Sequence, residues 1–283
     1  YVSRRGLPQE AKAADSLVLR PQHAHWPLVW MLALTQISVG LATATAAVPS
    51  PSWFLSGAAV AIGFAGLGAS VLHLGRPLQA WRAFMGLGHS WLSREIFAFG
   101  GFAPLLVLSL GLQLLDLPYT RLAWAVTALA GLGAIYTSVM IYHDTRRRFW
   151  RFPRTFVRFY GTAGTLAAAG LILSGIFSWG APILLASWAL KLLAEGRVLR
   201  QSSNGRNDAD NHSARIQTEC KRSALRIRWG ASIVGTLILV ATPVAGVPFG
   251  LLGIVLLSAA EIAERYLFFT AVYAPKMPGG VSA

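Results

Sequence analysis

The sequence predicts an all-α membrane protein with eight transmembrane helices and with both termini on the same side of the bilayer. Of its 283 residues, 54% are hydrophobic and 13% are charged, whereas a soluble domain carries about 25% charged residues. The mean hydropathy is +0.52. Apolar stretches of about 20 residues, the length that spans a bilayer, recur along the chain. A soluble helical protein would have to bury several such stretches in one core, and we therefore set that class aside.

Eight apolar segments form one predicted transmembrane domain over residues 26–273. A polar N-terminal tail of residues 1–25 precedes it, and a C-terminal tail of residues 274–283 follows it. Proline, glycine and aspartate mark most of the boundaries as turns. The predicted segments cover residues 26–48, 53–73, 92–115, 119–142, 159–179, 183–199, 227–245 and 249–273.

Small and turn-forming residues justify individual elements of this prediction. The second segment carries Gly57, Gly63, Gly66 and Gly68, and small residues let helices pack closely in lipid. A tight turn is predicted at residues 180–182, Gly-Ala-Pro, and another at residues 246–248, Gly-Val-Pro. The longest polar stretch, residues 200–226, is rich in Asn, Asp, Ser and Gly and predicts a mobile loop.

The basic residues are distributed on one side of this topology. The net charge is +14. With eight crossings, every Lys and Arg except Arg121 falls in the tails, in the loops after segments 2, 4 and 6, or beside them. The positive-inside rule then places both termini in the cytoplasm, and we expect a multi-pass protein of the bacterial inner membrane.

Few residues could bind a redox metal within this chain. Cys220, the one cysteine, lies in the polar loop, and an iron–sulfur cluster needs about four thiolates. No predicted helix has a histidine in its interior, so a haem held by two histidines is not expected. We therefore expect neither haem nor an iron–sulfur cluster of the protein's own, and any cluster must belong to a partner.

Ionisable residues near the ends of the apolar segments are the candidates for chemistry, because such residues are costly at membrane depth. His73 ends the second segment, and Glu95 begins the third. Histidine titrates near neutral pH, and a buried glutamate can accept or relay protons. Alternatively, His73 is an interfacial histidine bonded to backbone or water, and Glu95 is an ion-pair partner of Arg94, Arg76 or Arg82.

Two further sets of charges have simpler interpretations. Glu261 and Arg265 are spaced i, i+4, which favours a buried structural ion pair along one helix face. The run Arg146-Arg147-Arg148 is more typical of a topogenic, lipid-facing cluster than of a specific site.

Two motifs, supported by a weaker third, resemble the membrane anchor subunits of dimethyl sulfoxide reductase type complexes, the DmsC family. They are His-Leu-Gly-Arg-Pro at residues 73–77, Trp-Leu-Ser-Arg-Glu-Ile at residues 91–96, and Glu-Ile-Ala-Glu-Arg at residues 261–265, which an aromatic run follows. Together with the eight segments, the resemblance covers nearly the whole chain.

The resemblance implies a haem-free anchor that binds a four-cluster iron–sulfur subunit and, through it, a molybdopterin catalytic subunit. Electrons would pass between that subunit and a quinone, ubiquinone or menaquinone. The family's quinol-binding histidine and glutamate match His73 and Glu95. From their location we add Arg76, Trp81 and Tyr142 to the quinone-binding candidates. The protein itself would not catalyse the substrate half-reaction.

The orientation distinguishes this protein from the type member, whose catalytic subunits are placed on the outer face. Here the matching face is the basic, predicted cytoplasmic one, which resembles the family's cytoplasm-facing sulfite-oxidising complexes. Sulfite oxidation with quinone reduction is therefore the first hypothesis, and quinol oxidation by dimethyl sulfoxide or another terminal reductase is the second. The rival of another class is a polytopic transporter, which the lack of internal repeats and of charges at segment centres argues against.

Overall fold

Eight long helices make up most of the molecule. A computed structural model describes residues 18–73, 77–203 and 209–273, and for residues 73, 77–80 and 203 it describes the backbone alone. These residues contain α-helices and no β-strand, and eight helices are long and apolar enough to cross a membrane. The predicted all-α class with eight membrane-length helices is confirmed. The α-helices are α1 Trp26–Ala47, α2 Trp53–His73, α3 Trp91–Leu114, α4 Thr120–Asp144, α5 Phe152–Leu173, α6 Phe177–Leu199, α7 Ala209–Arg215, α8 Arg222–Ala245 and α9 Val247–Thr270.

The fifth membrane helix begins seven residues earlier than predicted and also ends earlier. Helix α5 starts at Phe152 with Pro153 in its first turn, a position that proline favours because its missing N–H would be unpaired there anyway. The turn after α5 lies at residues 174–176, where Gly175 has a φ of 81°. The predicted turn at residues 180–182 is wrong, since these residues lie inside α6.

The polar stretch predicted as a mobile loop is largely folded. Its described part contains α7, a π-helix at Ile216–Cys220 and the first turn of α8, which starts at Arg222. Asp210 on α7 forms two hydrogen bonds with Arg154 of α5, at 2.6 and 3.1 Å. Ala214 and Ile216 are buried in the main apolar core. These contacts hold the segment against the ends of the membrane helices.

Helix α1 lies in the middle of the bundle. Most of its residues are buried, and it packs against α2, α4, α5 and α9. Short 3₁₀ helices at Pro77–Gly86 and Arg148–Trp150 connect α2 to α3 and α4 to α5. The first and last membrane helices meet at one end of the bundle, where the Gln22 N–H donates to the Thr270 carbonyl at 2.9 Å.

Glycines permit the closest helix crossings. A Cβ atom on Gly40 of α1 would lie 2.5 Å from the carbonyl oxygen of Ala163 on α5. On α2, a Cβ on Gly63 or Gly66 would crowd side chains or backbone of α1, whereas Gly57 and Gly68 face open space. The prediction of close packing on α2 is therefore right for two of its four glycines.

Candidate functional site

One end of the bundle, here called the Glu95 end, contains the buried polar groups of interest. Helices α1, α3 and α5 begin there, and α4 and α9 end there, as shown by contacts of Glu95 with Ser138 and of Trp150 with Phe268. The opposite end is held by the Gln113 amide, which bonds to Ser56 and to the Pro51 carbonyl.

Glu95 is a buried carboxyl that faces the interior of the bundle. It lies in the second turn of α3 and is 6% exposed. The hydroxyl of Ser138 on α4 donates a hydrogen bond to its Oε1 atom. Glu95 forms no ion pair with any other side chain that the structure describes.

Arg94 does not act as the ion-pair partner of its neighbour. Its guanidinium donates to the carbonyls of Leu87 and Gly88, at 2.9 and 3.1 Å, and lies over the Trp91 ring. It therefore fixes the connection before α3, and the alternative that paired Arg94 with Glu95 is wrong. The reason is geometric, since adjacent residues on a helix point about 100° apart.

Tyr142 lies one turn beyond Ser138 on α4, in a buried aromatic cluster. Its ring makes edge contacts with Trp150, Phe159 and Phe268, with centroids 4.9 to 5.8 Å apart. The other side of this cluster is cationic, because Arg265 lies over the Phe159 ring at 4.4 Å. Tyr142 therefore packs between the Glu95 region and the buried charges described below.

Trp81 lines a different surface. It is 59% exposed and forms one wall of an apolar groove of about 410 Å³ with Phe84 and residues of α3. Those α3 residues recur at helical spacing, namely Ser93, Ile96, Phe97, Gly100 and Gly101. Because Glu95 is about half a turn away from this stripe, its carboxyl and the groove lie on opposite faces of α3.

The structure thus brings together two of the five predicted quinone-binding residues. Glu95 and Tyr142 share the interior near the end of α4, and Trp81 lines the outer groove. Arg76 and the side chain of His73 lie outside the described residues, so their roles stay predictions.

A second buried polar region lies between α5, α6, α8 and α9. We call it the ionic cluster. Lys191 pairs with Glu261, which also faces Arg228 at 3.6 Å, and Arg228 donates to Glu195 at 2.9 Å. All members are at most 4% exposed. They are Arg158, Lys191, Glu195, Arg228, Glu261, Glu264 and Arg265.

The predicted pair of Glu261 with Arg265 is replaced by other partners. Glu261 pairs with Lys191 and Arg228, whereas Arg265 pairs with Glu264 and donates to Gln36 of α1. Thr162 of α5 connects the two sides, because Lys191 and Arg265 both donate to its hydroxyl and it bonds to Glu261. Glu261 therefore finds its counter-charges on neighbouring helices, whereas Arg265 pairs with the adjacent residue of its own helix and with α1.

Sequence reasoning missed several of these residues. It placed Lys191, Arg158 and Arg228 beside loops on the basic side, yet all three side chains are buried. Ser138 also went unnoticed. A single buried serine or lysine gives no periodic signal, although a lysine at i−4 from a glutamate, as Lys191 and Glu195 are, indicates one polar helix face.

Metal ligands do not converge in the part of the chain that the structure describes. No group of three or more His, Cys, Asp and Glu side chains there is placed to bind a metal ion. Cys220 is exposed as a free thiol.

Eight apolar helices around buried carboxyl groups and a buried ionic cluster define a multi-pass helical membrane protein. The family described as the DMSO reductase anchor subunit (DmsC) matches residues 22–271, and the protein belongs to that family. It is 34% identical over 175 residues to the C subunit of sulfite dehydrogenase from Allochromatium vinosum, a match that covers 54% of this protein and 52% of that one. It is 28% identical over 241 residues to the C polypeptide of the anaerobic dimethyl sulfoxide reductase from Escherichia coli K12, covering 77% and 78% of the two proteins.

The match thus spans about half the length of the first of these relatives and more than three quarters of the second. Both relatives are named as subunits of oxidoreductases.

Proposed function

We propose that this protein anchors an iron–sulfur and molybdopterin oxidoreductase in the bacterial inner membrane and exchanges its electrons with quinone. The observation that carries the proposal is the buried carboxyl of Glu95. It lies near a helix end and has a hydroxyl, rather than a described cation, as its partner. Such a carboxyl can gain or lose a proton without breaking an ion pair.

The groove beside Trp81 fits the apolar part of a quinone. Its lining is aromatic and aliphatic, and Ser93 supplies a hydroxyl. A volume of about 410 Å³ is within the range of small-molecule sites. Two glycines of α3 also line it, so a flat ring or an isoprenoid tail can approach the helix backbone closely.

A bound quinone would supply two-electron, two-proton redox chemistry. In this proposal Trp81 and Phe97 hold its apolar part, and His73 and Arg76 bind its ring oxygens at the end of α2. Glu95 stores a proton on the inner face of α3, one helix away from the groove. Tyr142, one turn beyond Ser138 on α4, packs against Phe268 and keeps that part of the interior dry.

Partners must supply the metal centres. Cys220 cannot hold a cluster alone, so a docked subunit with four iron–sulfur clusters would carry single electrons between the quinone and a molybdopterin subunit. The arginines around residues 146–151 and 222–226 surround the Glu95 end. They offer positive charge to an acidic face of such a subunit.

The direction of electron flow follows from orientation in our proposal. The basic Glu95 end faces the cytoplasm by the positive-inside rule, and both termini lie on that side. The catalytic subunits would then be cytoplasmic and would oxidise sulfite while quinone is reduced. A terminal reductase for dimethyl sulfoxide is the second candidate. Substrate oxidation by sealed spheroplasts with an impermeant electron acceptor would place the catalytic subunits outside and would contradict the first.

Glu95→Gln tests the quinone assignment. We expect the intact complex to lose most of its quinone-coupled turnover and to keep its activity with an artificial dye that accepts electrons at the partner clusters. Glu219→Gln is the matched control, because Glu219 is exposed on the surface at the same end of the bundle. Normal quinone turnover in Glu95→Gln would refute the site.

The transporter rival makes the opposite prediction about partners. A transporter would be stable and active when purified alone, whereas an anchor should disappear from membranes when the gene for its iron–sulfur partner is deleted. Immunodetection of the protein in such a deletion strain separates the two classes.

A further inference from the structure

We propose that Ser138 is a positioning residue for proton exchange by Glu95, an inference that rests on the proposed quinone function. Ser138 lies on α4, one turn before Tyr142, and is fully buried. Its hydroxyl donates to the Oε1 atom of Glu95 across the α3–α4 contact. Among described residues, this is the one side chain that hydrogen-bonds to the carboxyl.

The serine hydroxyl can serve both protonation states of the carboxyl. A hydroxyl is one donor and a double acceptor. With ionised Glu95, Ser138 donates to the carboxylate, as in the structure. With protonated Glu95, the carboxyl proton points to the Ser138 oxygen, and the serine proton turns to the Ala134 carbonyl, which lies 3.5 Å away. Rotation of one hydroxyl therefore satisfies both states in a dry environment.

This arrangement differs from ordinary polar contacts in the bundle. The ionic cluster compensates its carboxylates with lysine and arginine, which holds them in one charge state. The hydrogen-bond partner of Glu95 among the described residues is neutral instead, so no ion pair there holds the carboxyl in its ionised state. The serine position therefore determines how readily Glu95 takes up and releases a proton.

The α3–α4 contact offers a matched control. Ser109 of α3 and Thr127 of α4 form a buried hydrogen bond of 2.8 Å further along the same helix pair. Ser109→Ala removes a buried hydroxyl bond between these helices without touching Glu95. Any effect common to Ser109→Ala and Ser138→Ala reflects helix packing alone.

The experiment measures quinone-coupled turnover of the membrane-bound complex against pH for both serine variants and for Ser138→Thr. We expect Ser138→Ala to move the limb that depends on Glu95 to higher pH by about one unit, because the hydroxyl bonds more strongly to the ionised carboxyl than to the protonated one, a difference of about tenfold in the equilibrium. Ser138→Thr keeps the hydroxyl and should keep the profile, as should Ser109→Ala. Dye-linked partner activity normalises each preparation for assembly.

The two single variants Ser138→Ala and Glu95→Gln, measured side by side, separate this inference from the proposed function. If Glu95→Gln impairs turnover and Ser138→Ala leaves the pH profile unchanged, the positioning role is wrong and the quinone site stands. If Glu95→Gln has no effect, the proposed site itself fails. Should Ser138→Ala not assemble, infrared absorption of the protonated carboxyl, followed against pH in Ser138→Thr and the unaltered protein, decides instead. Similar titration midpoints of the carboxyl in the two proteins support the proposal. A midpoint about one pH unit higher in Ser138→Thr, which is the shift expected from loss of the hydrogen bond, contradicts it.

Discussion

Lys191 on α6 and Glu261 on α9 form an ion pair inside the bundle, and their side chains are 1% and 2% exposed. Arg228 of α8 and Thr162 of α5 also contact this pair. Four membrane helices therefore meet at two side chains. In a bilayer each helix buries apolar surface against lipid as readily as against protein, so interhelical polar contacts of this kind contribute to packing specificity.

Loss of one partner of this pair should destabilise the fold. We expect Lys191→Met to lower the free energy of unfolding by about 3–5 kcal/mol, because Glu261 then lacks its closest counter-charge in a dry site. The readout is the midpoint of thermal unfolding in detergent, or the amount of intact protein in the membrane.

The double variant Lys191→Met with Glu261→Gln is the control for that prediction. It removes both charges of the pair, so we expect it to be less destabilised than Lys191→Met alone. If the double variant loses as much free energy of unfolding as Lys191→Met and Glu261→Gln lose together, the pair does not couple the helices.

Close contact between α1 and α5 depends on Gly40. A methyl group there would lie 2.5 Å from a backbone carbonyl of α5, and backbone cannot rotate away as a side chain does. We expect Gly40→Ala to reduce stability, by about 1–3 kcal/mol for overpacking. Gly57→Ala is the matched control on the neighbouring helix, since nothing lies within 4 Å of its added Cβ. Equal thermal midpoints for the two variants would show that α1 and α5 can move apart.

The exposed pair between Arg215 and Glu219 should contribute little, in contrast to the ionic cluster. The Arg215 Nε and Glu219 Oε1 atoms lie 2.8 Å apart, but the two side chains are 40% and 51% exposed. The hydrogen bond from Arg215 holds the pKa of Glu219 below its ordinary value. Any stabilisation is therefore present at neutral pH and lost as pH falls through that lowered pKa. We expect Glu219→Gln to leave the thermal midpoint at pH 7 unchanged, because solvent screens an exposed ion pair. A clear decrease in the midpoint would contradict this expectation.

Cys220 provides a direct measurement of orientation. It is the one cysteine of the sequence and is exposed on the polar segment before α8. We expect a membrane-impermeant maleimide to label it in inverted vesicles and not in sealed spheroplasts. In a Cys220→Ser background, Ser50→Cys in the connection between α1 and α2 should show the opposite pattern. Labelling of Cys220 from outside would reverse the proposed orientation.

The sequence determined the fold class and the position of Glu95 in the chain. Eight stretches of about 20 apolar residues have few structural alternatives, because backbone polar groups in lipid must be satisfied within helices. The predicted start of a helix was wrong where arginines lie in its first turns. Helix α5 starts before Arg154 and Arg158, since Asp210 and Glu264 compensate their charges, and hydropathy alone cannot register a partner that is distant in sequence.

The tertiary structure alone decided which charges are buried and with whom they pair. Lys191 and Arg228 look like loop-side basic residues in the sequence, but their carboxylate partners lie on other helices. Arg265 looks like the partner of Glu261, but it pairs with Glu264. Likewise, the sequence predicts Trp81 and Glu95 as members of one quinone site, whereas the groove that Trp81 lines and the carboxyl of Glu95, which bonds to Ser138, lie on opposite faces of α3. Hydropathy fixes how many helices cross the membrane, but the rotation and neighbours of each helix depend on contacts that exist only after the helices have packed.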